Sequence, residues 1–347
     1  MVDVVNVVDV VENDVENSPP AGRRGRSSGP PSCGGQARVS PGGVGRAGPR
    51  RIDVVAGPGH DVGVAAGSSY VDRVPVPALA AVASSVWIQQ VGDQPLAQRY
   101  VPHGGAEIRC VLGEAPRLLG PLTAATYRDI PAGGTVVGVR LRPGVLGGLA
   151  GPPADELADQ DVPGAELWRD PDRLTHLLGE APTPEVALDR LQAFVARTVG
   201  EPDPLVAEAV RNLMPWRGGG PAVLPDLLSI SERQLRRRCR AAVGTGPKEL
   251  QRILRFHGFT ARVQVAVDRG APGDLAGWAV EAGYHDQAHL TRECRRLTGV
   301  PPGEFLAQYR SACAGGDDHD HAASYLPMLR GRWPFRTRAE GAPGLAS

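Results

Sequence analysis

From Val86 onward the chain sets short apolar runs between turn residues. Val86-Trp87-Ile88, Ile108 to Leu112 and Thr135 to Leu141 have the length and β-branched content of strands. Gly104-Gly105, Gly133-Gly134 and Pro143-Gly144 punctuate them. The period changes at Thr183-Pro184-Glu185, which combines a cap, a first-turn proline and an early carboxylate. Leu188, Leu191, Phe194, Val195 and Val199 follow on one face of a helix. Residues 83–200 therefore read as one α+β domain. A second helix, Pro204 to Met214, leads through the flexible Arg217-Gly218-Gly219-Gly220 joint into an all-α domain, taken as 203–312.

The ends of the chain lack such patterning. Residues 1–82 begin with an Asp/Asn/Val repeat and continue into a stretch dense in Gly, Pro, Ser and Arg, read as disordered and as lying ahead of the true start of translation. Gly43, Gly45 and Gly48 spell G-x-G-x-x-G, but Pro41 and Pro49 flank them where a dinucleotide site needs a strand and a helix. Residues 313–347 read as a disordered tail, and the Gly315-to-His321 run of Asp and His as a solvated acidic segment.

The all-α region contains an internal repeat at a constant offset of 55 residues. SERQLRRRCR (Ser231–Arg240) matches DQAHLTRECR (Asp286–Arg295). Ser231 and Asp286 stand as N-caps, Leu235 and Leu290 match, as do Cys239 and Cys294, and Arg240 and Arg295. The register runs on through Gly244 and Gly299 to Pro247 and Pro302. Each copy reads as the second helix of a helix-turn-helix, with its buried line at i and i+4. Ahead of the second copy, Asp274 caps a helix with Leu275, Ala276, Ala279 and Val280 on its apolar side, ended by Gly283. Between the copies, Pro247 opens a helix with Leu250, Ile253, Leu254 and Ala261 on one face.

Charge strengthens this picture. Lys+Arg and Asp+Glu are both 38. Residues 221–310, however, hold 14 basic against 9 acidic side chains, so a basic module sits within a neutral chain. Arg233, Arg236, Arg237 and Arg240 in the first copy, and Gln287, Ala288, Thr291 and Arg292 in the second, occupy the expected exposed faces. Arginine pairs bidentately with guanine and glutamine with adenine, so these faces suit the major groove of double-stranded DNA. The five cysteines, Cys33, Cys110, Cys239, Cys294 and Cys313, never pair as C-x-x-C, which argues against a disulfide framework or structural zinc. No metal or other cofactor is expected. Neither a membrane-spanning apolar run nor a secretory leader is legible, and a cytoplasmic protein is expected.

Leu275–Phe305 (LAGWAVEAGYHDQAHLTRECRRLTGVPPGEF) resembles the second helix-turn-helix and signature region of AraC-type transcription regulators. Ser231–Phe256 (SERQLRRRCRAAVGTGPKELQRILRF) resembles that family's first recognition helix and linker helix. The resemblance implies a unit whose two recognition helices enter successive major-groove segments about 34 Å apart. It also implies a transcription regulator, an activator or a repressor, for which RNA polymerase is a candidate partner. The sequence departs from the family at Cys239 and Cys294, where a phenylalanine is usual, at Pro225, where alanine is usual, and at Ser229 in place of the turn glycine. Pro225 implies a first helix that is short or starts late.

Residues 86–200, through Val139–Gly144 and Leu157–Pro163, resemble less specifically the sensing or dimerising domain of such regulators, implying a small-molecule effector and a homodimer. Arg140 and Arg142 alternate with Leu141 along a strand. They are candidates for holding an anionic effector, with a structural ion pair or an exposed edge as the alternative. Two other functions are compatible with parts of the sequence. A DNA-repair alkyl-transfer protein would need an activated nucleophile, for which only Cys110 is available, with His103 seven residues away. A partner-binding protein with decayed DNA readout would follow if Pro225 and the two core cysteines sufficed to unsettle the module.

Overall fold

A computed structural model describes residues 60–61, 67–148, 151–217, 219–268 and 275–313. Nine antiparallel strands are assigned among them: β1 His60–Asp61, β2 Ser69–Arg73, β3 Ala83–Gln90, β4 Leu96–Tyr100, β5 Glu107–Val111, β6 Arg117–Leu119, β7 Thr126–Ile130, β8 Thr135–Leu141 and β9 Asp161–Pro163. They form a six-stranded sheet in the order β2-β3-β8-β5-β6-β9 and a three-stranded sheet β1-β4-β7. The three strands legible from apolar runs, β3, β5 and β8, are the central neighbours of the large sheet. Both of their faces are buried, which is why they lack polar alternation.

One face of the large sheet carries Val86, Ile88, Ile108, Cys110, Val137, Val139 and Leu141. Against it pack α1 (Pro171–Gly179) and α2 (Pro184–Thr198), through Leu174, Leu178, Leu188, Leu191 and Val195. Thr183 caps α2 as expected, its hydroxyl accepting from Val186 N–H. Asp170 and Pro171 start α1 in the same way. The other face meets the small sheet through Tyr70, Trp87 and Val136 against Leu96 and Ile130. Trp87 lies opposite Gly138 in the β3–β8 ladder, and its indole occupies the space over that glycine. Further along, this interior becomes polar: the Gln89 amide donates to Gln98 Oε1 at 2.8 Å across the two sheets.

The large sheet begins earlier than the sequence suggests. Residues 69–82, placed by sequence in the disordered segment, supply β2 and a single 3-10 turn, Pro77–Leu79, with Tyr70 and Leu79 buried. Ser69–Arg73 pairs with Val86–Gln90, so its order comes from a partner distant in sequence rather than from its own composition. The expectations for residues 1–59 and 314–347, and the Asp274 cap, lie outside the described residues.

The helical module follows as α3 (Pro204–Leu213), α4 (Leu224–Leu227), α5 (Glu232–Val243), α6 (Pro247–Asp268), α7 (Leu275–Glu281), α8 (Gln287–Thr298) and α9 (Pro302–Cys313). Two cores share α6. Leu250 and Leu254 join Leu235, Cys239 and residues of α3 and α4. Ile253, Phe256, Phe259 and Val263 join Leu290, Cys294, Leu297, Tyr284 and Phe305. The helix is thus the common wall of two small bundles.

Candidate nucleic-acid interface

Helices α5 and α8 are built by matching local chemistry. The Ser231 hydroxyl accepts from Gln234 N–H while the Gln234 side chain accepts from Ser231 N–H, forming a reciprocal capping box. Asp286 caps α8 by accepting from His289 N–H at 2.6 Å. Both helices stop at left-handed glycines, Gly244 at φ 84° and Gly299 at φ 83°, which donate to Arg240 and Arg295 carbonyls 55 residues apart.

The turns preceding these helices are also related. Ser229 N–H donates to Asp226 O and Ile230 N–H to Pro225 O. In the second copy, Gly283 N–H donates to Val280 O and Tyr284 N–H to Ala279 O. Both are six-to-one, five-to-two closures. Their left-handed residues, Ser229 at φ 53° and Gly283 at φ 80°, lie 54 residues apart, whereas the caps that follow lie 55 apart. The second turn therefore carries one extra residue, Tyr284-His285 where the first has Ile230. As Pro225 requires, α4 is only four residues long.

The sequence-predicted residues take these positions on the two helices. Arg233, Arg236, Arg237 and Arg240 are all exposed on α5, and Leu235 and Cys239 are buried beneath them. Gln287, Ala288 and Arg292 are exposed on α8 above Leu290 and Cys294. Thr291 is half-buried, and its hydroxyl donates to the Gln287 carbonyl at 2.8 Å, leaving it to act as an acceptor. Arg240 belongs to the last turn of α5. Base edges are usually read from the N-terminal part of a recognition helix, so that position suits a phosphate better than a base.

Ion pairs fasten both helices to their surroundings at equivalent register. Arg238 on α5 donates to Asp203, the cap of α3, at 2.5 Å. Fifty-five residues on, Glu293 of α8 accepts two bonds from Arg252 of α6, at 2.7 and 2.5 Å. Arg296 of α8 pairs with Glu249 of α6. Sequence reading missed these anchors because their partners are far apart along the chain.

The β domain also touches the helical module. Ala154 N–H donates to the Ala241 carbonyl near the end of α5. Arg99 of β4 donates to the Thr298 carbonyl at the end of α8, and its guanidinium lies 5.8 Å from the Phe305 ring centroid. A cation there complements the negative end of the helix dipole. His257 of α6 is buried, and its Nε2–H donates to the Pro102 carbonyl at 2.8 Å. Burial, opposed by that hydrogen bond, pushes its pKa down to about 4.

Arg140 and Arg142 are not presented to a ligand. Both are buried. Arg140 donates to Glu107 at 2.9 Å and to Ser85 Oγ, and Asp72 lies 3.5 Å away. Its anion is supplied by the chain, so Arg140 forms a structural ion pair. Arg142 donates to the Ala80 carbonyl, and burial lowers its pKa to about 10. Cys110 likewise lacks the setting of a nucleophile. Burial and Glu114 push its thiol up to about 12, and it donates to backbone carbonyls. Among the described residues no cluster of His, Cys, Asp and Glu could hold a metal, and no helix is long and apolar enough to cross a membrane.

Residues 225–308 match a helix-turn-helix domain model, and 72–163 match a domain of unknown function, DUF6597. The chain thus carries a helix-turn-helix domain behind a β-rich N-terminal domain. A putative AraC-like transcription regulator of Streptomyces lividans is 33% identical over 110 residues, which cover 30% of this chain and 34% of that protein. The match therefore spans about a third of the relative's length. Among solved structures, apo ToxT from Vibrio cholerae aligns over 71% of this chain and 98% of its own, at 10% identity and a TM-score of 0.34. ToxT with bound unsaturated fatty acid aligns over 75% and 97%, at 10% identity and a TM-score of 0.32.

Proposed function

We propose that the protein is a sequence-specific DNA-binding transcription regulator that reads two successive major-groove segments with α5 and α8. The observation that carries this reading is the paired geometry. Two helices, each N-capped by a side chain, stopped by a left-handed glycine and carrying a basic or amide outer face, pack against one connecting helix. Arg233, Arg236, Arg237, Gln287, Ala288, Thr291 and Arg292 face the bases, and Arg240 a phosphate. The likeness to a relative named as a regulator supports the same reading. The protein acts in the cytoplasm without an enzymatic activity of its own, by binding double-stranded DNA and engaging RNA polymerase. The N-terminal domain is its effector-sensing and dimerising part.

The test is selection of bound sequences from random double-stranded DNA by the full chain. The expected motif has two half-elements about one helical turn apart, and two copies of it if the protein binds as a dimer. Arg292→Ala should weaken the selected site by about 1–3 kcal/mol and relax preference locally. Binding that enriches no motif and vanishes as salt rises would reduce the module to a basic surface and refute the proposal.

A further inference from the structure

The polar space between the two sheets ends in an arginine cluster that the DNA-binding reading does not use. Arg109 of β5, Arg117 of β6 and Arg128 of β7 converge on one carboxylate, Asp161 of β9, at 2.7, 2.9 and 2.8 Å. Arg117 also donates to the Asp161 backbone carbonyl at 2.7 Å, and Arg128 to Thr126 Oγ1 and the Tyr127 carbonyl. One carboxylate thus answers three guanidiniums. Glu107, a neighbouring carboxylate, is engaged by Arg140 at 2.9 Å, and the Arg140–Glu107–Asp72 group carries one net negative charge. Together these four arginines and three carboxylates keep one net positive charge.

The donors are arranged from inside to outside. The Arg109 side chain is 7% exposed and lies 5.4 Å from the Tyr100 ring centroid; its Nε has no hydrogen-bond partner among the described residues. Arg128 and Arg117 are 25% and 38% exposed, so solutes reach the cluster from their side. A buried cation without compensation is costly, whereas forked guanidinium donors fit carboxylate and phosphate oxygens bidentately. All four residues lie within the matched N-terminal domain.

The geometry points to a binding site for a small dianion, a phosphate or a dicarboxylate, formed by Arg109, Arg117 and Arg128, with Asp161 as the internal carboxylate that gathers them. The anion takes the donor positions that Asp161 leaves over and competes with it for the rest. Removing the internal carboxylate therefore tightens anion binding, while removing an arginine weakens it.

Calorimetric titration of the full chain with sodium phosphate or sodium succinate, against sodium chloride at constant ionic strength and without DNA, tests this independently of DNA readout. Saturable binding is expected. The stronger of the two anions identifies the source as phosphate or dicarboxylate. Arg128→Gln and Arg117→Gln, both at the accessible side, should each weaken binding at least tenfold with melting temperature in chloride little changed. Asp161→Asn should strengthen binding and be stabilised by the anion more than the parent. If that variant does not fold, the two glutamine variants decide. No saturable binding of either anion, retention of affinity in both glutamine variants, or a folded Asp161→Asn that binds more weakly than the parent would each overturn the site.

Discussion

Arg252→Ala removes the cation that holds α8 against α6. The Glu293 side chain is only 10% exposed and receives both its strong bonds from Arg252, whose own side chain is 36% exposed. The two halves of the pair are therefore unequal. Truncating Arg252 leaves a largely buried carboxylate without its partner, a defect that costs about 3–5 kcal/mol when burial is complete. Partial access and the charge of nearby Arg296 reduce this to about 2 kcal/mol, or about 3 °C in melting temperature for a chain of this size. Glu293→Gln leaves a guanidinium that can turn to water, at a cost of about 1 kcal/mol or less. Denaturant unfolding of both variants and of the charge-swapped double variant R252E/E293R measures the pair, provided the slope with denaturant is unchanged. The hydrogen bonds from Arg252, working against partial burial, hold the Glu293 carboxyl below its ordinary value of 4.5. A depressed carboxylate stabilises the fold above its unfolded pKa and ceases to do so as pH falls through the folded one. The difference between parent and Arg252→Ala should accordingly be largest above pH 4.5 and shrink on further acidification. Equal stabilities for the two single variants, or a difference independent of pH, would refute the reasoning.

Other outcomes follow from single buried groups. His257 is neutral in the fold and titrates near 4 against 6.5 when unfolded, so the unfolded chain binds the extra proton between those values. Its contribution should be constant above pH 6.5 and decline below it by up to about 1.4 kcal/mol per pH unit. His257→Gln should flatten that limb of a stability–pH curve. Gly138→Ala would place a methyl 2.2 Å from the Trp87 ring and should destabilise by about 3 kcal/mol or more, read by thermal unfolding. In a Cys33→Ser/Cys313→Ser background, Cys110, Cys239 and Cys294 should resist a thiol-reactive dye at pH 8 until denaturant is added. All three are buried, and burial raises their pKa values to about 12, 11 and 11. Rapid labelling of Cys110 in the native protein would reopen the alkyl-transfer reading.

What the sequence determined by itself is whatever short-range chemistry specifies. Caps such as Ser231 and Asp286, the left-handed stops at Gly244 and Gly299, the i and i+4 apolar line and the exposed arginines all act within one or two helical turns. Their repetition at a fixed offset made both helices and their outer faces legible. The central strands were legible too, because two buried faces demand an unbroken apolar run. Arg140 was legible only as a charge on a strand. Whether it met a ligand or Glu107 depended on which strand lay beside it, and the register of β5 with β8 settled that. The same holds for β2, whose composition resembles a loop until β3 supplies its ladder, and for Arg252 and Glu293, 41 residues apart. The cluster at Asp161 draws its arginines from three strands, 33 to 52 residues away in the chain. Burial and charge pairing depend on distances in space, and only the tertiary structure decides those.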